Sequence, residues 1–184
     1  MRSSKTRCPP RGTTIAELPL ALWIIFVGIG FPLFILATIT LRFALFYQAA
    51  RESALQASQS QTFFLDPAAP STALSCVHQA VQTATQVQNS FSGFTINSTN
   101  VYIITTPVTT SGAGTPVVTG PNTPLLVVDT DLNMYQIRVV VAGVVQPLVA
   151  LPTPFFGNIP GLTQGFPVTV SEERVFENPD GLIF

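Results

Sequence analysis

Few residues of this chain have the types and spacing that enzyme or metal chemistry requires. His78 is the only histidine, so neither a histidine-based metal cluster nor a Ser-His-Asp triad can be assembled. Residues 129–133 (DTDLN) begin like a calcium loop, but Met134 replaces the required glycine and Val140 replaces the bidentate glutamate. We therefore expect a turn at 129–133, no enzymatic activity, no cofactor and no metal.

One carboxylate stands at the start of the most apolar stretch of the chain. Glu17 directly precedes residues 18–41 (LPLALWIIFVGIGFPLFILATITL), which contain no charged residue. A carboxylate deep in hydrocarbon is costly unless it is paired, but in the first turn of a helix it lies near the positive end of the helix dipole. Glu17 is therefore suited to the boundary between a helix in a bilayer and the aqueous phase.

The apolar run itself is long enough to cross a bilayer. About 20 apolar residues span the hydrocarbon core as a helix, and the polar stripe of a soluble amphipathic helix is missing here. The run is also too long for the apolar region of a cleavable secretory signal. We predict a transmembrane helix with a kink at Pro32, which Gly28 and Gly30 would ease.

The charges on either side of the run predict its orientation. The basic residues of the N-terminal tail are Arg2, Lys5, Arg7 and Arg11. Basic segments stay in the cytoplasm, so the tail is expected inside and everything after Arg42 outside. We therefore expect a single-pass protein of the inner (cytoplasmic) membrane, with the lipid bilayer as one partner.

The composition of the outer part limits its ligands. Residues 43–184 carry three basic and eight acidic side chains, a net charge of −5. Nucleic acid is not expected as a partner, because phosphate binding needs a basic face. Charged residues make up 9% of the chain, against roughly 25% in ordinary soluble domains. Part of the outer apolar surface is therefore expected to be covered by a partner or by the bilayer.

The two cysteines fall on opposite sides of the predicted membrane. Cys8 and Cys76 therefore cannot bridge each other within one chain. Cys76 is expected to be either a buried free thiol or half of a disulfide between subunits. Cys8 follows Thr6 and Arg7 rather than the small and apolar residues that precede a lipid-modified cysteine, so we expect no lipid anchor there.

Helical spacing continues beyond the membrane to about residue 60. The side chains that share one face change from aromatic to alanine: Phe43, Phe46, Tyr47, Ala50, Ala54 and Ala57. Small residues let another element approach closely, and that element is either this chain's own domain or another subunit. A second helix is predicted over residues 67–88, with Asp66 as its N-cap.

After Asn89 the pattern changes to β-branched residues with a period of two. Strands are predicted at residues 101–106, 125–129, 135–144 and 168–176. The turn at 131–133 would join the second and third as a hairpin.

Residues 145–167 contain five prolines and three glycines among large apolar side chains. Two interpretations of this segment stay open, a functional interface or a loop folded back over the sheet.

Together these patterns predict an α+β protein. A long N-terminal transmembrane helix would be followed by a short helix and a small antiparallel β-sheet domain. The organisation would be a basic leader at 1–12, the transmembrane helix and its extension at 13–60, and an extracytoplasmic α+β domain at 61–184.

The N-terminal residues also resemble a known family. Arg11-Gly12 closes the basic leader, Glu17 follows, Pro19 stands in the apolar run, and residues 47–54 (YQAARESA) are alanine-rich. This arrangement resembles the TadE/TadG-like pseudopilins of tight-adherence pili, which have an RG-x-x-x-x-E opening and an AAR-x-A segment. The resemblance covers residues 11–58 well and the closing residues 173–178 (ERVFEN) only weakly.

The resemblance implies processing and assembly. A prepilin peptidase would cut after Gly12 and leave Thr13 as the new N-terminus, with its ammonium one helical turn from Glu17. By the same resemblance, the Glu17 carboxylate would neutralise the ammonium of a neighbouring subunit when helices bundle. Without processing, Glu17 would be a simple interfacial cap on an uncut anchor, and that interpretation stays open.

The chain departs from the family pattern in three places. Leu18 follows Glu17 where many of these pilins have an aromatic residue, Thr13 would replace the usual phenylalanine of type IV pilins, and the outer domain exceeds that of a small major pilin. We therefore expect a minor pilin or pseudopilin, with other pilin or pseudopilin subunits and the prepilin peptidase as partners. The alternative is an uncleaved signal-anchored binding module of the cell envelope, whose apolar Pro/Phe loop captures a partner.

Overall fold

The structure, a computed structural model, describes residues 13–64, 75–109 and 112–183, with the backbone alone for residues 13–17, 155 and 156. Its first feature is one continuous helical run. Helix α1 (Thr13–Ile25) passes through a π-helical segment (Phe26–Gly30) into helix α2 (Phe31–Ser58). Within this run Leu18–Ser58 is long and apolar enough to cross a membrane.

The second helix begins later than the sequence pattern predicts. Helix α3 spans Cys76–Ser90, and the extended Ser75 is its N-cap. The Ser75 side chain accepts a hydrogen bond from the backbone N–H of His78 at 3.2 Å. The predicted start at residue 67 was therefore wrong for this helix, because a serine can serve as N-cap as well as an aspartate. Asp66 lies outside the described residues.

The helices pack on an antiparallel sheet. Its strands are β1 (Phe94–Thr109), β2 (Gly112–Ala113), β3 (Val117–Thr119), β4 (Asn133–Val145) and β5 (Phe166–Val175). The order is β2-β1-β4-β5, and β3 also pairs with β1. The long β1–β4 ladder runs from Phe94 opposite Val145 to Pro107 opposite Asn133, with a bulge at Asn97. This architecture confirms the predicted α+β class.

The predicted strand at 125–129 was wrong. Leu125 donates its N–H to the carbonyl of Leu182 at 2.9 Å, in a short 3₁₀ helix (Pro179–Ile183) that is not part of the sheet. Leu126 is 94% exposed and Val127 is 77% exposed. The segment is apolar but pairs with no strand in the described part of the chain, so the predicted hairpin is also absent.

The turn before β4 is present. The Asp129 carboxylate accepts the backbone N–H groups of Asp131 and Leu132 at 3.0 and 3.2 Å. The hydroxyl of Tyr135 accepts the Asp129 N–H at 2.8 Å. This carboxylate therefore closes a turn.

The outer half of α2 forms one wall of the core. Phe46, Ala50, Ala54 and Ala57 are fully buried. The ring of Phe46 packs edge-on against Phe94, with 5.8 Å between ring centroids. The alanine face therefore packs on the chain's own domain, which decides between the two interpretations of that face.

Close approach of the helix to the sheet also depends on a glycine in β4. A Cβ at Gly143 would lie 2.7 Å from Cε2 of Phe46 and would overlap the carbonyl oxygen of Thr95 on β1. No larger residue fits between helix and sheet at this position without a shift of the backbone.

Candidate functional site

The predicted processing and assembly residues lie at the start of the helical run. Gly12 lies outside the described residues. Thr13 is the first residue of α1, and Glu17 is four residues further along the same helix. Residues at i and i+4 share a helix face, so the two backbone positions are one turn apart. Processing at Gly12 and charge pairing by Glu17 both stay predictions.

The first part of the run is uncovered by the rest of the described chain. The large side chains between Leu18 and Phe34 are all between 38% and 75% exposed. A water-exposed surface of this composition would be strongly unfavourable, whereas lipid or neighbouring helices cover such a surface readily. This face is the candidate site for lipid and for other membrane helices.

Pro32 lies just after the π-helical segment. The N–H of Phe31 bonds to the carbonyl of Phe26, five residues earlier. A proline removes one helical hydrogen bond and crowds the carbonyl four residues before it, here that of Gly28. Widening the turn relieves that crowding. The π-helical segment contains Gly28 and Gly30, the two glycines expected to ease a bend. The kink itself stays a prediction.

Arg42 joins the helix to the sheet immediately after the apolar run. Its Nη1 donates a hydrogen bond to the carbonyl of Gln146 at 2.7 Å. Gly93, at φ 103°, lies against the guanidinium so closely that a Cβ there would overlap it. Gly93 and Gln146 flank the paired ends of β1 and β4. The first charge after the apolar run therefore anchors the membrane-proximal end of the sheet.

A second contact links the helix to the edge strand. The hydroxyl of Tyr47 donates a hydrogen bond to Oε1 of Glu172 on β5 at 2.8 Å. This bond, together with the negative charge of Glu172, raises the pKa of the Tyr47 hydroxyl. Further along the same strand, Arg138 on β4 and Glu173 on β5 form an ion pair at 2.7 Å. Both pairs are on the surface, where such contacts contribute little to stability.

The remaining titratable candidates are structural. Cys76 is a free, fully buried thiol, and burial raises its pKa to about 12. The thiol cannot reach another subunit while the domain is folded, so the buried free thiol is the state observed. His78 is exposed on the first turn of α3. Within the described residues, no group of three or more His, Cys, Asp or Glu side chains is placed to hold a metal ion.

The structure places the segment 145–167 beside the long helix, and the interpretation of the segment as a functional interface stays open. It contains a short helix α4 (Thr153–Phe156), and Leu151 and Thr163 are buried in it. A Cβ at Gly161 would lie 3.2 Å from Cδ1 of Ile39. The segment therefore lies beside the apolar part of α2. One signal could have indicated this, because residues 139–171 contain no charged side chain at all.

Comparison of the chain with protein-family models, with curated protein sequences and with solved structures found no match. The fold and the site define the class of chain as a small α+β domain built on one long helix whose N-terminal half is suited to a membrane. The resemblance to TadE/TadG-like proteins rests on residues 11–58 and, weakly, on residues 173–178 of the sequence.

Proposed function

We propose that the protein is a TadE/TadG-like minor pilin or pseudopilin, a membrane-anchored structural subunit in the assembly of a tight-adherence (type IVc-like) pilus. The observation that carries the proposal is the division of one continuous helix into two halves. The half before Phe34 is uncovered by its own chain, and the half after Leu45 is the core of the outer domain. A subunit of this design presents its membrane helix to other helices while its domain stays folded.

The helix also couples the membrane to the outer domain. No loop separates the apolar half from the half that the sheet covers. Displacement of the membrane half along its axis therefore moves the sheet with it, through Phe46 and the buried alanines. Rigid coupling is what extraction of a subunit from the bilayer into a growing assembly requires.

Electrostatics supports bundling at the N-terminal end. After a cut at Gly12, the ammonium of Thr13 and the carboxylate of Glu17 would both lie at the edge of the hydrocarbon. Charges in that environment are costly unless they are paired. Pairing between staggered subunits would relieve the cost for both, and it would orient each new helix against the previous one.

In this function the long helix spans the inner membrane, with the leader in the cytoplasm and the outer domain on the extracytoplasmic side. The partners are the bilayer, the prepilin peptidase and other pilin or pseudopilin subunits. The charge pattern supports this orientation, because the basic residues cluster before the helix and the outer part is acidic.

The test is the mass of the mature chain purified from membranes. A chain that begins at Thr13, and that retains Met1 in cells lacking the prepilin peptidase, supports the proposal. A chain of unchanged mass that assembles equally well in both strains overturns it.

The role of Glu17 is tested separately with Glu17→Ala and Glu17→Gln, with Leu18→Ala as the matched control on the neighbouring residue. The two Glu17 variants should be inserted and cut but should fail to co-purify with partner subunits, whereas Leu18→Ala should co-purify. Normal co-purification of Glu17→Ala would contradict charge pairing.

The alternative function, an uncleaved anchored binding module, has one observation in its favour. Leu126 and Val127 are 94% and 77% exposed at the end of the domain far from Arg42, on a surface other than the Pro/Phe loop to which the sequence assigned partner capture. This alternative requires a chain that keeps its leader, and a partner that is lost in Leu126→Ser but kept in Glu17→Ala. The Glu17 and Leu126 variants therefore separate the two functions.

A further inference from the structure

We propose that residues 147–165, here called the proline loop, insert into the outer leaflet of the bilayer that the long helix spans. The protein would then hold the membrane at two places, by the helix and by a loop of its outer domain. This inference rests on membrane insertion of the helix and does not depend on the pilus function.

The depth of the loop follows from helix geometry. The uncharged run 18–41 is about 36 Å long at 1.5 Å per residue, somewhat more than the hydrocarbon core of about 30 Å. Whether the core is aligned with the start of the run or with its end, Ile35 lies within it. Ile39 lies within it or about 3 Å beyond its edge. Gly161, which contacts Ile39, is therefore at the level of the outer leaflet.

Burial along α2 shows that one face of the apolar run is covered at this depth. Ile35 is fully buried and Ile39 is partly buried against the core, whereas Leu33, Phe34 and Leu36 around them are 49% to 59% exposed. Ile35 and Ile39 are one turn apart on the same face as Arg42 and Phe46. The cover of the helix therefore continues past the end of the sheet and into the apolar run.

The outer surface of the loop has the chemistry of a membrane contact. Leu148 and Val149 are each 48% exposed, and Ile159 is 42% exposed. No charged side chain occurs in residues 139–171. A patch that is apolar and uncharged would be a liability in water, but it gains free energy when lipid covers it.

The backbone of the loop is adapted to a low-polarity environment. Four residues of the loop have no backbone N–H to satisfy because they are prolines: Pro147, Pro152, Pro154 and Pro160. Some of the other N–H groups are bonded inside the loop. The N–H of Leu151 donates to the carbonyl of Leu162, that of Gly161 to Gln164, and those of Leu162 and Thr163 to Ile159. Groups bonded in this way need not be desolvated unpaired when the loop enters the boundary between headgroups and acyl chains.

Arg42 marks the upper limit of the inserted part. Its guanidinium bonds to Gln146, the residue directly before the loop. Arginine near the end of a membrane helix places its charge among the lipid headgroups. The loop leaves the sheet at this charged level and returns to it at β5, and its turn at Gly161 contacts α2 on the membrane side of Arg42. Insertion at a second place would prevent the outer domain from rotating freely about the helix.

The experiment uses the full chain in phosphatidylcholine vesicles with tryptophan as a depth probe. Trp23 is the only tryptophan, so Trp23→Phe provides a silent background. Ile159→Trp is the probe, and Leu148→Trp is a second probe in case the first perturbs the turn at Gly161. Leu126→Trp, at the far end of the sheet, is the matched control.

Lipids brominated on the acyl chain near the headgroup should about halve the emission of the two loop probes, because interfacial segments lie only ~5–10 Å into the headgroup and acyl boundary. Lipids brominated near the chain end should quench the probes less, and the Leu126→Trp control should be unaffected. Quenching of both loop probes no stronger than that of the control overturns the proposal. Blue-shifted emission that neither lipid quenches overturns it too, because the loop would then be covered by protein.

Discussion

The two halves of the long helix face different environments, although they belong to one unbroken element. Between Leu18 and Phe34 the side chains are large and exposed on every side. Between Phe46 and Ser58 the buried face is built mainly of alanine and serine. In the first half nothing in the described chain limits side-chain size, because no other element covers it. In the second half the sheet and helix α3, which both pack against it, limit the size at each buried position.

Because of this difference, amino-acid substitutions in the two halves should have different effects. Substitutions in the outer half are expected to act on the folding of the domain, and substitutions in the membrane half on insertion and helix association. Denaturant unfolding of the full chain in detergent micelles measures the effects at matched positions in the two halves.

The largest effect is expected for Phe46→Ala. Phe46 fills the space between α2, Phe94 and Gly143, and its removal leaves a cavity in the centre of the domain. The free energy of unfolding should fall by about 3–5 kcal/mol, as for other buried phenylalanines. The control is Phe34→Ala on the membrane half, which should leave domain unfolding unchanged. Equal losses in the two variants would show that the halves do not differ in this way.

Overpacking of the alanine face comes next. Ala54 is fully buried in the core that α2 forms with α3 and the sheet, and Ala54→Leu adds volume where no space is available. We expect a loss of about 1–3 kcal/mol in the free energy of unfolding. Gln56→Leu places the same side chain on the exposed face of the same turn and should change stability by no more than about 0.5 kcal/mol. A stable Ala54→Leu protein would mean that α3 and the sheet are not held closely against this face of α2.

The thiol of Cys76 reports whether water is excluded from the core next to the outer half of α2. Its pKa is raised to about 12 by burial, whereas an unfolded thiol loses its proton near pH 8.5. Ionisation of the unfolded thiol therefore costs no stability below about pH 8.5. As pH rises from there toward 12, the free energy of unfolding falls by up to about 1.4 kcal/mol per pH unit.

The measurement compares Cys76→Ala with its parent in a Cys8→Ser background. The parent should lose stability more steeply than the variant above about pH 8.5, and its thiol should react with alkylating reagents at neutral pH only after unfolding. Rapid labelling of the folded protein would show that the core is open to water.

The smallest effect is expected at the surface link between α2 and β5. Tyr47→Phe removes one exposed hydrogen bond and should leave the unfolding midpoint unchanged. The same contact is visible in titration, because Glu172→Gln should lower the pKa of the Tyr47 hydroxyl by removing the carboxylate that raises it. Ultraviolet absorbance between neutral and alkaline pH follows the titration of the three tyrosines, and subtraction of the Tyr47→Phe titration isolates Tyr47. An unchanged Tyr47 pKa in Glu172→Gln would mean that the 2.8 Å contact does not form in solution.

Much of the fold followed from local pattern. The helical spacing through residue 57 and the period of two in residues 135–144 correspond to α2 and β4. The predicted strand at 125–129 was wrong although its sequence has the apolar and β-branched residues of a strand. Within the described residues its Leu125 bonds to Leu182 of the 3₁₀ helix, and the segment joins no strand. β-Propensity describes fit to a sheet surface, and it cannot show whether such a surface is available.

Some features of the candidate site were also predictable from the sequence, and others were not. The apolar run and the charges around it were visible in sequence, and so were Gly12 and Glu17, whose roles stay predictions. The position of the proline loop beside Ile39 was not visible, because it depends on the ladder of β4 with its neighbours, which brings Gln146 to Arg42. Contacts between residues a hundred positions apart leave no local periodicity.

By itself, the sequence determined that one segment favours lipid, that the outer part is acidic, and that chemistry-bearing residues are scarce. These properties follow from composition and spacing, which set transfer free energies and charge. Only the tertiary structure decided that the alanine face belongs to the chain's own domain, that Ser75 begins the second helix, and that the proline loop lies against the apolar run. Each of these depends on which distant surfaces meet, and that is a property of packing.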